Sequence, residues 1–319
     1  MALAFGNLST YTDQISGELV RKAVLKGRFT SLVRVEPGIK SAKNINILDS
    51  TLYAVAGACG FTSSGSTNLS AVTLTVCDLK VNESICPRSL EAYWTQTLLK
   101  PGQYPTDMGF EAFYAEEKAA KLGALIEDIA IRGNTSTGSG NLSLCSGILQ
   151  QVDVTSVSAS TINLFNQAAG TTTAWTIANS VAMIDATIAL LPADVQDQDD
   201  LTLFVSYATY RTILQGYRNA GYTVTTVSDG QIPGASLDNG VIHPGSINVR
   251  VVPIRGLSAS ATNARFFLTP ASNIAFGTDL LDDAEKFRIW YSQDNDEVRF
   301  LSAWSQGVVL LFPEYFVRG

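Results

Sequence analysis

The chain has 319 residues, 16% of them charged where an ordinary globular protein has roughly 25%, and a formal net charge of −7. One histidine, His243, excludes multi-histidine metal centres, and four cysteines (Cys59, Cys77, Cys86, Cys145) without a CxxC pair exclude zinc-ribbon spacing. No apolar run nears the ~20 residues of a membrane helix, and the first six residues lack a basic start and a signal-length apolar core, so a folded, unsecreted, non-membrane protein is expected.

In chain order, Thr12 through Arg28 reads as a weakly amphipathic helix, Phe29 to Val35 as a strand, and Glu36-Pro37-Gly38 as a turn. Residues 1–43 carry a net +4 and the remainder a net −11, so a basic arm is attached to an acidic body. Two alternating runs follow, Asn44-Ile45-Asn46-Ile47 and Ala71 through Val76, with a small, turn-forming stretch between them. Period two says strand, and residues 41–80 are expected to form a long two-stranded hairpin. Such a hairpin is marginal in water by itself and requires a partner surface.

Ser89 to Leu98 suits a short helix, closed by Lys100-Pro101-Gly102. From Thr106 to Arg132, Phe110, Phe113, Tyr114, Leu122, Leu125, Ile126 and Ile129 fall at helical spacing, with Glu116, Glu117, Glu127 and Asp128 among the residues assigned to the other positions. About 26 residues at 1.5 Å rise make a rod of roughly 40 Å. Beyond residue 150 the pattern becomes α/β. A helix marked by Ile177, Val181, Ile184, Ile188 and Leu191 ends at Pro192, and an acidic loop over 194–200 leads into the strand Leu201–Val205. Ser206 is placed to cap a helix with Tyr210, Ile213, Leu214 and Tyr217 inward, ending at Gly221. Strands are expected at 247–254 and 264–268, and a second long hairpin over 287–312.

The chemistry is sparse. There is no phosphate-binding loop, the acidic loop lacks the glycine and closing glutamate of a calcium loop, and adjacent Glu116 and Glu117 diverge on a helix. His243 lies in a turn, Ile242-His243-Pro244-Gly245, and reads as structural. Catalytic, cofactor-binding and metal-ligating residues are all expected to be absent. The four cysteines are expected as reduced thiols packed as small hydrophobes, a Cys59–Cys77 bond across the hairpin being the disfavoured alternative.

The order of basic arm, long hairpin, long helix, α/β segment and final hairpin resembles the major capsid protein of tailed double-stranded-DNA bacteriophages, the Hong Kong 97 type fold. The last third carries the resemblance best. Asp200 through Ser206 with Ala208-Thr209-Tyr210-Arg211 looks like the strand-to-helix step of that family's A domain, and Ile247 through Leu257 its next strand and turn. Thr269 through Leu280 is similar to the return into the P domain, and 286–312 to its long strands.

The resemblance implies an α+β chain. Its parts would be an N-terminal arm at 1–40, an E-loop hairpin at 41–85, a P domain at 86–150 with its spine helix at 106–132, an A domain at 151–269 and P-domain return strands at 270–319. It implies a non-enzymatic structural subunit that forms a homo-oligomeric icosahedral shell of hexamers and pentamers. The implied partners are double-stranded DNA held non-specifically on the inner face, a portal, and decoration or auxiliary proteins, with no membrane. The implied location is the virion, after assembly in a bacterial cytoplasm. Chainmail cross-linking would need a Lys such as Lys43 or Lys80, whose partners the sequence does not identify. Assembly contacts are assigned to Arg21, Lys22, Lys26 and Arg28 of the arm and to Ile45, Ile47, Phe61, Val72, Leu74 and Val76 of the hairpin. The alternatives are an encapsulin shell around cargo enzymes and, from another class, a Ser/Thr-rich adhesin or tail-fibre module.

Overall fold

The computed structural model describes residues 28–57, 59, 64–86, 110–153, 163–164, 174–222, 240–246, 248–258, 265–279, 287–295 and 297–319. Residues 12–27 of the helix expected over 12–28, the helix expected at 89–98, and residues 106–109 of the long helix lie outside them.

α1 (Arg28–Leu32) is helical where a strand was expected from Phe29 onward. The cause is tertiary. The Arg28 backbone N–H donates to Glu127 Oε2 at 3.0 Å, satisfying an orphan donor of the turn, while Phe29 is fully buried beneath it. The strand is displaced to β1 (Arg34–Pro37), and β2 (Ala42–Leu52) and β3 (Gly65–Thr75) then form the long hairpin. β4 (Cys77–Ile85), which the sequence reading groups with the hairpin, leaves it and enters a larger sheet.

The long helix α2 (Phe110–Arg132) buries Leu122, Ile126 and Ile129 as the spacing requires, with Leu125 half-buried. Glu127 departs from its expected place on the solvated side. It is 4% exposed and accepts the Arg28 N–H and, at 2.9 Å on its other oxygen, the Arg255 N–H. One carboxylate thus caps two helical turns that are far apart in sequence. After α3 (Ile148–Asp153), β5 (Asn163–Leu164) and α4 (Ser180–Ile188) comes a further correction. Residues 194–196 of the expected acidic loop join Ala193 in a short helix, α5 (Ala193–Gln196), because Val195 is fully buried and anchors it.

β6 (Leu201–Val205) is buried at every position, and α6 (Tyr207–Asn219) follows with Ser206 accepting from the Thr209 N–H at 3.1 Å. Tyr210, Ile213 and Tyr217 face inward, and Gly221 at φ 85° ends the segment where a side chain would be strained. The remaining elements are β7 (Val241–Ile242), β8 (Arg250–Pro253), α7 (Arg255–Ser258), β9 (Phe267–Pro270), β10 (Ile274–Thr278), β11 (Phe287–Ser292), β12 (Glu297–Leu310) and β13 (Val317–Arg318).

Two larger sheets result. In the first, the 14-residue β12 pairs antiparallel with β10, β11 and β4, and β1 adds parallel to β10. Alternate residues Val298, Phe300 and Trp304 are buried in one cluster with Ile126 and Ile129 of α2. The second sheet runs β5-β13-β9-β6-β8-β7. Its period of two feeds two cores, Phe204, Val252 and Phe267 entering the cluster under α2, and Leu203, Val251 and Leu268 the cluster under α4 and α6. Burial on both faces is why Leu201–Val205 reads as a nearly continuous apolar run.

The cysteines depart from expectation. Cys77 and Cys145 are bonded, with Cα atoms 5.9 Å apart, while Cys59 is an exposed free thiol and Cys86 is exposed. Spacing could not reveal a pair that two distant elements bring together.

A candidate assembly surface on the hairpin

At its root the hairpin packs on its own body. Lys43, Ile45 and Ile47 share a face with Leu74, Val72 and Ser70 across the strands. Ile47 and Leu74 join Ile39, Ala275 and Leu311 in a small core, with Ile45, Val72 and Val76 packed against it. Gly307 lies under the end of β3, where a side-chain carbon would meet the Thr75 carbonyl oxygen at 2.1 Å, so β12 admits the hairpin only at a glycine. Glu36 ties the root further, accepting from Lys43 Nζ and Arg34 Nε, both at 2.6 Å. The Lys43 ammonium holds the Glu36 carboxyl below its ordinary range, burial opposes this, and Arg34 adds to the lowering.

Beyond the root the pattern inverts. On the opposite face the root is polar, with the Thr73 hydroxyl donating to Asn44 Oδ1 at 2.9 Å. From residue 48 that face turns apolar. Leu48 and Leu69 are directly opposed and 64% and 78% exposed, and Leu52, two positions further along the same face from Ser50, is 87% exposed. Tyr53 and Val55 extend the exposed apolar surface. The root face meanwhile becomes polar in sequence, Asp49 opposite Asn68 and Thr51 opposite Ser66. Among the described side chains of β2 and β3, only Ile47 and Leu74 are buried. Eleven residues per strand reach about 35 Å, and among the described residues no third strand pairs with either edge of this two-stranded sheet. A ribbon with one face seated at its root and the other face apolar at its tip is built to contact two different surfaces.

The residues assigned from sequence therefore divide. Ile47 and Leu74 are buried in the chain's own small core, and Ile45, Val72 and Val76 pack against it while remaining partly exposed. Leu48, Leu52 and Leu69 are the exposed ones. Their signal was in the sequence as a change of parity, the apolar residues moving from 45 and 47 to 48 and 52. Arg28 is half-buried at the start of α1, with Nε and Nη2 buried and without a hydrogen-bond partner, and is no exposed arm cation. Arg21, Lys22, Lys26 and Phe61 lie outside the described residues.

His243 is 1% exposed rather than lying in an open turn. Its Nε2 is 2.8 Å from Asp185 Oδ1 and its Nδ1 is 2.9 Å from the Tyr217 hydroxyl, so both ring nitrogens have hydrogen-bond partners. Burial pushes the Tyr217 hydroxyl well above its ordinary range, and Asp185 adds to this. With Tyr217 fully buried and kept protonated, the trio joins α4, α6 and the turn after β7 and presents no nucleophile. Among the described residues no group of three His, Cys, Asp or Glu side chains is placed to hold a metal ion, and no helix is long and apolar enough to cross a membrane.

No family model and no curated protein matches the sequence. Solved structures do match over most of the chain. The satellite phage P4 procapsid including size determination (Sid) protein aligns at 12% identity and a TM-score of 0.58, over 95% of this chain and 98% of that one. The capsid of an empty GTA particle aligns at 12% identity and a TM-score of 0.55, over 93% and 89%. The holo-SrpI encapsulin complex from Synechococcus elongatus PCC 7942 aligns at 10% identity and a TM-score of 0.52, over 91% and 86%. An α+β chain with a projecting hairpin, a long helix on a mixed sheet and a second sheet buried on both faces thus has the fold of phage capsid proteins, which an encapsulin shares.

Proposed function

We propose that this chain is a structural, non-enzymatic subunit that self-assembles as hexamers and pentamers into the icosahedral head shell around a double-stranded DNA phage genome. The observation that carries the reading is the exposed apolar face of the hairpin tip, Leu48, Leu52 and Leu69, on an arm that its own body leaves uncovered. A second copy of the chain is its occupant, since apolar ribbon edges repeated on every subunit close into permanent contacts only when neighbours cover them. In this reading 1–40 is the arm, 41–85 the E-loop, 86–150 and 270–319 the P domain and 151–269 the A domain. Arg21, Lys22 and Lys26 then contact acidic surface on a neighbouring subunit, DNA lies against the inner face without sequence preference, and a portal occupies one vertex.

A second reading, an encapsulin-type compartment around cargo enzymes, is favoured by the encapsulin among the matching structures. The contents of particles isolated from the native source decide between the two. Nuclease-protected double-stranded DNA supports the phage head, and a co-purifying enzyme in place of nucleic acid supports the compartment.

A further inference from the structure

We propose that Cys77–Cys145 is a reversible redox latch on the root of the hairpin, open as two thiols in a reducing medium and closed as a disulfide in an oxidising one. Its position gives it that leverage. Cys77 is the first residue of β4, two positions after β3 ends, and Cys145 lies between α2 and α3, 68 residues further on. Closing the bond joins the strand that leaves the hairpin to the segment beneath which Ile129 and Ile148 are buried. Cys77 already sits opposite Gln306 in the β4–β12 ladder, and the hairpin side of this point is held by the Val76 N–H donating to the Ser41 carbonyl at 2.9 Å, the packing of β3 on Gly307, the small core around Leu74 and the Glu36 contacts to Lys43 and Arg34.

The site also accommodates the open state. Cys145 Sγ lies 3.4 Å from the Gln306 carbonyl oxygen, so a Cys145 thiol has an acceptor for its hydrogen although only 2% of the residue is exposed. Trp304 Nε1 donates to the Gln306 carboxamide at 2.9 Å and steadies that residue in either state. The two sulfurs differ in access, Cys77 being half-buried and Cys145 buried, which orders the chemistry. In oxidation the Cys77 thiolate attacks a low-molecular-weight disulfide and expels one small thiolate. The Cys145 thiolate then attacks the Cys77 sulfur of the mixed disulfide and expels the second. Two protons pass to solvent or to the departing thiolates, and the small disulfide takes up two electrons. Reduction by a small thiol reverses both steps, entering at Cys77.

The latch belongs to the single chain and is tested on unassembled full-length subunit, so its failure is separable from failure of the shell reading. Hydrogen exchange is measured in oxidised glutathione and in reduced glutathione, with maleimide trapping of free thiols. The closed state should slow exchange over 42–47 and 72–76 by roughly tenfold or more while β6 and α6 stay unchanged, and raise the melting transition by on the order of 10 °C. Cys145→Ser, whose hydroxyl can still reach the Gln306 carbonyl, should match the open state in both media. The wild-type comparison remains decisive if that variant misfolds. Equal exchange in both media, maleimide labelling of Cys77 and Cys145 under the oxidant, or a bond that resists reduction without denaturant would each overturn the proposal.

Discussion

Glu127 carries more structural weight than its charge suggests. A buried carboxylate that accepts two backbone N–H groups, from Arg28 and Arg255, leaves two orphaned donors when it is removed. Glu127→Ala should therefore cost about 2–4 kcal/mol in denaturant unfolding, while Glu117→Gln, on an exposed side chain, should change stability by less than about 0.5 kcal/mol. Glu36 adds a pH dependence. A carboxyl held low in the folded chain stabilises it above the unfolded value, and that contribution is lost as pH falls through the folded value. Its partners are half-exposed, Arg34 at 52% and Lys43 at 49%, so the contribution is limited to about 1 kcal/mol. Glu36→Gln should lower stability by that amount at pH 7, and the gap to the unaltered chain should close as the medium is acidified below the ordinary carboxylate range. An undiminished gap in acid would assign the effect to packing.

At the scale of elements, local patterns were legible where local physics decides. The strand at 201–205, its Ser206 cap and the stripe of the long helix follow from burial period and capping alone. The stripe is checked by Ile129→Ala, which should cost about 2–5 kcal/mol because Ile129 is 1% exposed. Half-buried Leu125 should cost less. What the sequence hid was decided by distant partners. The turn at 28–32 is helical because of Glu127, roughly a hundred residues away, and residues 193–196 coil because Val195 finds a core. β4 looked like hairpin until β12 offered it a ladder from Val298 to Gln306. The hairpin was legible from the alternation near its root, which points to the chain's own sheet, whereas the outward face is marked only by the shift of apolar residues from 45 and 47 to 48 and 52.

For the whole molecule, one arrangement joins these features. Two cores fold the body, and the hairpin contributes only its root to a third, small cluster. Among the described residues nothing covers Leu48, Leu52 and Leu69 of the remaining ribbon, and the proposed covering is a second copy. Light scattering of purified subunit across a concentration series, with electron microscopy of the same samples, tests this most directly when the unaltered chain is compared with Leu48→Ser/Leu69→Ser. Both positions are exposed, so the double variant should unfold within about 1 kcal/mol of the unaltered chain. Closed shells are expected from the unaltered chain and monomers from the variant. A monodisperse unaltered monomer at high concentration, or equally good shells from both proteins, would contradict it.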